Sequence, residues 1–110
     1  MQRRGPSAFD EKVYDATRMI PRGRVSTYAI IGRIIGCRSP RAVGQALGRN
    51  PYGLEVPCHR VISSSLSLGG FGNEQDGPET KRKAKLLAAE GVTFDTDTKL
   101  ADPQKLWTGL

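Results

Sequence analysis

The sequence predicts a single, mostly α-helical domain with room for small strand elements. Three observations carry that expectation. A length of 110 residues is enough for one small core and too short for two. Apolar residues recur at helical spacing, most clearly between Phe9 and Ile20. Helix-capping residues precede each such stretch, and Gly or Pro follows it.

The first helix is read from "SAFDEKVYDATRMI", where Phe9, Val13, Ala16 and Ile20 share a face, Ser7 can cap, and "PRG" closes the element. In "STYAIIGRIIG" the four residues Ile30, Ile31, Ile34 and Ile35 fall on one side of a second helix, with Ser26 or Thr27 as N-cap and Gly36 as the stop. After "CRSP" comes "RAVGQALGRNP": Ser39 is placed to cap, Pro40 suits the first helical position, and Asn50-Pro51 ends the element. Two short helices joined by a tight turn make a helix-turn-helix pattern. The small-residue stretch Ser63 to Gly77 reads as a turn or hairpin followed by a surface loop. A last helix runs from Pro78 to Glu90, with Asp76 and Glu79 at capping-box spacing, Leu86 and Leu87 on its buried side and Gly91 as its stop. Phe94, Leu100, Leu106 and Trp107 are expected to dock the tail on the domain.

Composition narrows the function classes. A hydrophobic fraction of 37% and a charged fraction of 25% are those of a soluble globular protein. No run is long and apolar enough to span a membrane, and "MQRRGPSAF" lacks the apolar core of a signal peptide. An intracellular protein, cytoplasmic or nuclear, is expected. Two cysteines make no disulfide framework, so free thiols are expected. A net charge of +6 makes a polyanionic partner such as DNA or RNA plausible.

The chemistry concentrates in "EVPCHRVI", where Cys58 stands beside His59, the sole histidine. Together with Cys37 these residues give no metal-ligand spacing, so no metal site is expected. A buried, inert cysteine is one reading of Cys58. The other is a nucleophile whose proton His59 withdraws, with a third group, for which Glu90 is a candidate, orienting the imidazole. The third helix is unusually bare, with Ala42, Gly44, Ala46 and Gly48. Close packing on a neighbouring helix explains that. So does close approach to a nucleic-acid groove, with Arg41 and Arg49 reaching phosphates or bases. "KRKAK", Lys81 to Lys85, could form a phosphate-contacting face, but a solvated helix face is the commoner meaning of such a run.

Four motifs, "IPRGRVSTY", "RAVGQALGRNP", "VPCHRVI" and "LLAAEGV", in that order and over about residues 8–92, resemble the C-terminal domain of the O6-alkylguanine-DNA alkyltransferases. The resemblance implies a winged helix-turn-helix-like domain, here without the family's N-terminal domain, that binds double-stranded DNA containing O6-alkylguanine as a monomer and without a cofactor. By position, Cys58 matches the cysteine that accepts the alkyl group irreversibly, His59 the histidine that assists thiolate formation through a water, and Glu90 the carboxylate that orients it. Asn50 matches the asparagine that braces this network. Tyr28 matches the tyrosine that meets the extruded guanine, and Arg41 the arginine that fills its vacated place in the stack. Arg41, Ala42, Gly44 and Gln45, with Tyr28, are the implied DNA-contacting set. Main-chain carbonyls of Cys58 and Val61, with Phe71 and Gly72 in a lid, are the implied base pocket.

Set against that pattern, the segment between Phe71 and Glu90 is about five residues longer than expected, and the turn before Arg41 is one residue shorter. A second family reading is open. Alkyltransferase-like proteins share this single domain and bind alkylated DNA without transfer, flagging it for nucleotide excision repair, though they typically carry tryptophan in place of the cysteine. A sequence-specific regulator using Arg41 and Gln45 on base edges is a third class, and it leaves "PCHRVI" without a role.

Overall fold

A computed structural model describes residues 5–68 and 78–109, without the side chains of residues 78 and 79. In chain order it contains α1 (Ala8–Arg18), β1 (Ser26–Thr27), α2 (Tyr28–Ile35), α3 (Pro40–Gly48), β2 (Val61–Ile62) and α4 (Pro78–Ala89). Single 3-10 turns lie at Gly53–Glu55, Cys58–Arg60 and Pro103–Lys105.

Helix α1 starts where the sequence says it should. Ser7 Oγ accepts from the Asp10 amide at 3.0 Å and Asp10 Oδ2 accepts from the Ser7 amide at 3.2 Å, a reciprocal capping box whose loss costs about 1 kcal/mol. Its inner face buries Val13, Tyr14, Ala16 and Thr17. The helix ends before Ile20, which stays in the core from the following turn. Two polar contacts fasten α1 to the far end of α3: the Tyr14 hydroxyl donates to the Ala46 carbonyl at 2.7 Å, and Arg49 donates to Asp10 at 2.6 Å. The Arg49 guanidinium holds the Asp10 carboxyl below its usual range. Arg49, offered to DNA in one of the two readings of α3, makes this contact within the domain while its side chain stays 55% exposed.

Thr27, not Ser26, caps α2, its hydroxyl accepting from the Ile30 amide at 3.1 Å. The buried stripe is narrower than four isoleucines suggest. Ile31 and Gly32 are buried and Ile35 partly so, whereas Ile34 is 39% exposed and Ile30 only half-covered; a helix turning 100° per residue cannot point all four inward. Gly32 permits the tight turn into α3, since a Cβ there would lie 2.7 Å from the Cys37 carbonyl oxygen. Ser39 caps α3 by accepting from the Ala42 amide at 3.1 Å, and Pro40 opens it.

The bare helix α3 divides its small residues between a buried and an outer side. Ala46 is fully buried beneath α1 and so does not belong to the outward set. Gly44 lies against the Tyr28 ring, 3.7 Å from where its Cβ would be, and Gly48 borders open space.

Strands β1 and β2 pair in parallel, Ser26 with Val61 and Thr27 with Ile62. The tail adds to the other side of β1: the Val25 amide donates to the Lys105 carbonyl at 2.9 Å, and the Trp107 amide to the Val25 carbonyl at 2.6 Å. Because side chains alternate along a strand, Val61 enters one apolar cluster with Val13, Tyr14, Ile31, Val43 and Leu47, while Ile62 enters a second with Val25, Leu68, Leu87, Val92 and Leu100. Leu100 and Trp107 are buried and Leu106 and Phe94 partly so, the docking expected of the tail. The start of the Ser63 stretch is a turn in which the Leu66 amide donates to the Ser63 carbonyl at 2.9 Å. Asp76 lies outside the described residues, so the capping box expected with Glu79 does too.

Candidate active site

Cys58 opens the 3-10 turn that runs directly into β2, so its side chain is placed by the strand paired with the entrance to α2. Its sulfur faces an open cavity of about 310 Å³ whose walls include Leu47, Asn50, Gly53, Leu54, His59 and Lys83. Asn50, just past α3, braces the wall in three directions. Its Nδ2 donates to Cys58 Sγ at 3.3 Å and to the Gly53 carbonyl at 3.0 Å, and its Oδ1 accepts from the Tyr52 amide at 2.8 Å. The Cys58 thiol itself donates to the Leu47 carbonyl at 3.8 Å. The loop is tied down from α1, Tyr52 donating to Glu11 at 2.7 Å and Arg18 to Glu55 at 2.9 Å.

His59 and Glu90 meet as the sequence reading required. Glu90 Oε2 is 3.0 Å from His59 Nε2, and both side chains are nearly buried, at 7% and 6% exposed. Burial alone would raise the Glu90 carboxyl, but hydrogen bonds from Arg60 and His59 and their charges take it down to about 2. An ionised carboxylate can only accept, so the ring proton belongs on Nε2 and His59 Nδ1 is left as an acceptor. Nδ1 is buried and has no hydrogen-bond partner among the described residues.

Burial pushes the Cys58 thiol up, an effect offset in part by the Asn50 hydrogen bond and by the charge of Lys83. Tyr28 is pushed up to about 12 by burial and by the proximity of Cys58, which keeps its phenol a proton donor at neutral pH. Lys83 is the residue that sequence reasoning missed. It is 1% exposed, its Nζ lies 5.9 Å from the Tyr28 ring centroid, and burial lowers its ammonium to about 8, countered by Cys58. Reading "KRKAK" as a uniform solvated face is therefore corrected: Lys81, Arg82 and Lys85 are exposed, but Thr80, Lys83 and Leu87 form the buried stripe. Their spacing of three and four residues was the available signal. Arg60 is a second omission, bridging Glu90 and the Ile20 carbonyl.

Of the residues expected to meet DNA, Arg41 and Gln45 are exposed on α3 and Ala42 and Gly44 partly so. Tyr28 packs over that helix beside the cavity. The Val61 side chain belongs to the core, and the Cys58 carbonyl accepts from the Val61 amide. Phe71 and Gly72 lie outside the described residues.

The sequence model of "6-O-methylguanine DNA methyltransferase, DNA binding domain" matches residues 8–92. The chain belongs to this alkyltransferase family. A methylated-DNA--protein-cysteine methyltransferase of Thermococcus barophilus is 43% identical over 90 residues, 81% of this chain and 47% of that protein. One from Sulfolobus acidocaldarius is 45% identical over 87 residues, 79% and 52% of the two chains. The chain thus spans about half the length of the curated relatives it matches. Among solved structures, S. pombe Atl1 in complex with damaged DNA containing O6-carboxymethylguanine superposes with a TM-score of 0.73 at 36% identity, over 90% of this chain and 94% of that one. Mycobacterium tuberculosis OGT in complex with DNA gives 0.68 at 41% identity, over 79% and 51%. The mostly helical fold expected from the sequence is that of these alkyltransferase domains. Among the described residues no helix is long and apolar enough to cross a membrane.

Proposed function

We propose that this alkyltransferase-family domain repairs O6-alkylguanine in DNA by transferring the alkyl group once, irreversibly, to Cys58. The observation that carries the reading is the convergence on one cavity wall of a thiol, an amide donor to its sulfur, a histidine backed by Glu90 and a buried cation. The alkyl carbon of a stacked base is out of reach of a protein sulfur, so the nucleotide must leave the duplex. Arg41, exposed at the start of α3, is suited to fill the gap, and the small residues Ala42 and Gly44 let the helix approach the groove.

In the reaction His59 takes the thiol proton through a water at Nδ1, Glu90 steadies the resulting imidazolium, and Lys83 and Asn50 favour the thiolate. Sulfur attacks the alkyl carbon; the C–S bond forms as the C–O bond breaks, and the departing guanine gains a proton that Tyr28 is placed to donate. The test is intact mass and peptide mapping after incubation with a duplex carrying one O6-methylguanine. One added methylene unit on Cys58 is expected, and an unmodified protein that binds the lesion tightly would overturn transfer.

A second reading, a damage sensor that binds without transfer and engages nucleotide excision repair, is favoured by the burial that pushes the Cys58 thiol up and so disfavours the thiolate. The likeness to S. pombe Atl1 over most of both chains points the same way. For either reading Arg41→Ala is expected to weaken binding to the damaged duplex about tenfold while leaving Tm unchanged, because the side chain is exposed. Unaltered affinity in fluorescence anisotropy would remove Arg41 from the interface.

A further inference from the structure

Arg60 holds Glu90 more firmly than a salt bridge at a helix end requires. Its Nε donates to Oε1 at 2.9 Å, its Nη2 to Oε2 at 2.9 Å, and its Nη1 to the Ile20 carbonyl at 3.0 Å, with the side chain only 16% exposed. Oε2 is the same oxygen that meets His59 Nε2 at 3.0 Å. Glu90 follows the last residue of α4, where the helix dipole opposes a negative charge. A lone carboxylate in that place has one bond to the imidazole and is free to turn about its last torsion. Two parallel bonds from a planar fork remove that freedom and fix which oxygen faces the ring. Arg22 is the other cation near, 3.8 Å from Oε2, but it is 69% exposed and draws the carboxylate outward.

We infer that Arg60 is a positioning residue for Cys58, acting through Glu90 and His59: its fork locks the carboxylate so that the imidazole keeps its proton on Nε2 and presents Nδ1 as the acceptor for the thiol proton. The inference rests on the reading of Cys58 as a nucleophile. Other groups facing that thiol are Asn50 past α3, Lys83 on α4, Tyr28 on α2 and Tyr14 on α1; none of them touches Arg60 among the described contacts. Arg60→Lys keeps the charge and loses the fork, so it separates geometry from electrostatics.

The experiment measures the rate of Cys58 carbamidomethylation by iodoacetamide, by intact mass, from pH 6 to 10 in a Cys37→Ser background. Arg60→Lys and Arg60→Met are expected to slow the reaction about tenfold at pH 7 and to move the midpoint up by about one pH unit. Arg60→Lys is expected to do so with Tm near that of the parent. When His59 is replaced by Gln, Arg60→Lys should add no further shift. Overlapping profiles for Arg60→Lys and its parent overturn the inference, as does a shift that persists undiminished without His59. Iodoacetamide needs no DNA, so failed methyl transfer with these shifts intact would defeat the repair reading alone.

Discussion

Cys58→Ala is expected to abolish alkyl transfer from an O6-methylguanine duplex while leaving affinity for that duplex within about threefold of the parent. The sulfur makes two polar contacts among the described residues, with Asn50 at 3.3 Å and the Leu47 carbonyl at 3.8 Å. Neither Arg41 nor Gln45 on the exposed face of α3 depends on them. Removing one half-buried sulfur costs the fold about 1 kcal/mol, too little to confuse loss of chemistry with loss of structure. Intact mass after single turnover and anisotropy with the same duplex read the two halves. An adduct that survives on Cys37 would move the acceptor, and lost affinity would mean the thiol helps hold the base.

Lys83→Met is expected to stabilise the protein and impair it at the same time. A lysine whose folded value is about 8 against an ordinary 10.5 binds fewer protons in the folded than in the unfolded state between those values. Stability therefore rises with pH through that window, and below pH 8 the buried ammonium costs about 3 kcal/mol. Methionine fills similar volume without the charge, so a Tm gain of roughly 10–15 °C is expected at pH 7, fading as pH approaches 10. Cys58 and Tyr28, both pushed up, lower stability as pH rises from their ordinary values of 9.0 and 10.0, and Cys58 does so more in the variant, which lacks the Lys83 charge that holds the thiol down. Transfer should fall about 100-fold, because the cation beside the thiolate and the departing base is gone. A variant that is no more stable at pH 7, or that transfers at the parental rate, contradicts this account.

Local signals explain what was legible. The Ser7 capping box, the Thr27 and Ser39 caps and the left-handed Gly36 are contacts within four residues, so the sequence displays them directly. The meeting of His59 with Glu90, 31 residues apart, was reached through the motif resemblance, because spacing carries no information about such a contact. Lys83 shows the opposite failure. A run of charges invites one label, yet a helix assigns each position its own direction, and the lysine that falls on the buried stripe acquires different chemistry from its neighbours. Ile34 was misplaced for the same angular reason.

The sheet that divides the apolar residues into two clusters has a kinetic consequence. The helices that would read DNA belong to the first cluster, whereas α4 and the tail residues Val92 and Leu100 belong to the second; among the described residues they are joined by the short β1–β2 pairing, the tail beside Val25, and polar contacts such as those of Glu90 with His59 and Arg60. Proteins open in cooperative units of this kind. An excursion that releases α4 withdraws Glu90 and Lys83 from the thiol while α1, α2 and α3 stay folded. Amide exchange should then show α4 protected less than α3, and the opening frequency would set how often the domain can grip a duplex with its chemistry disengaged.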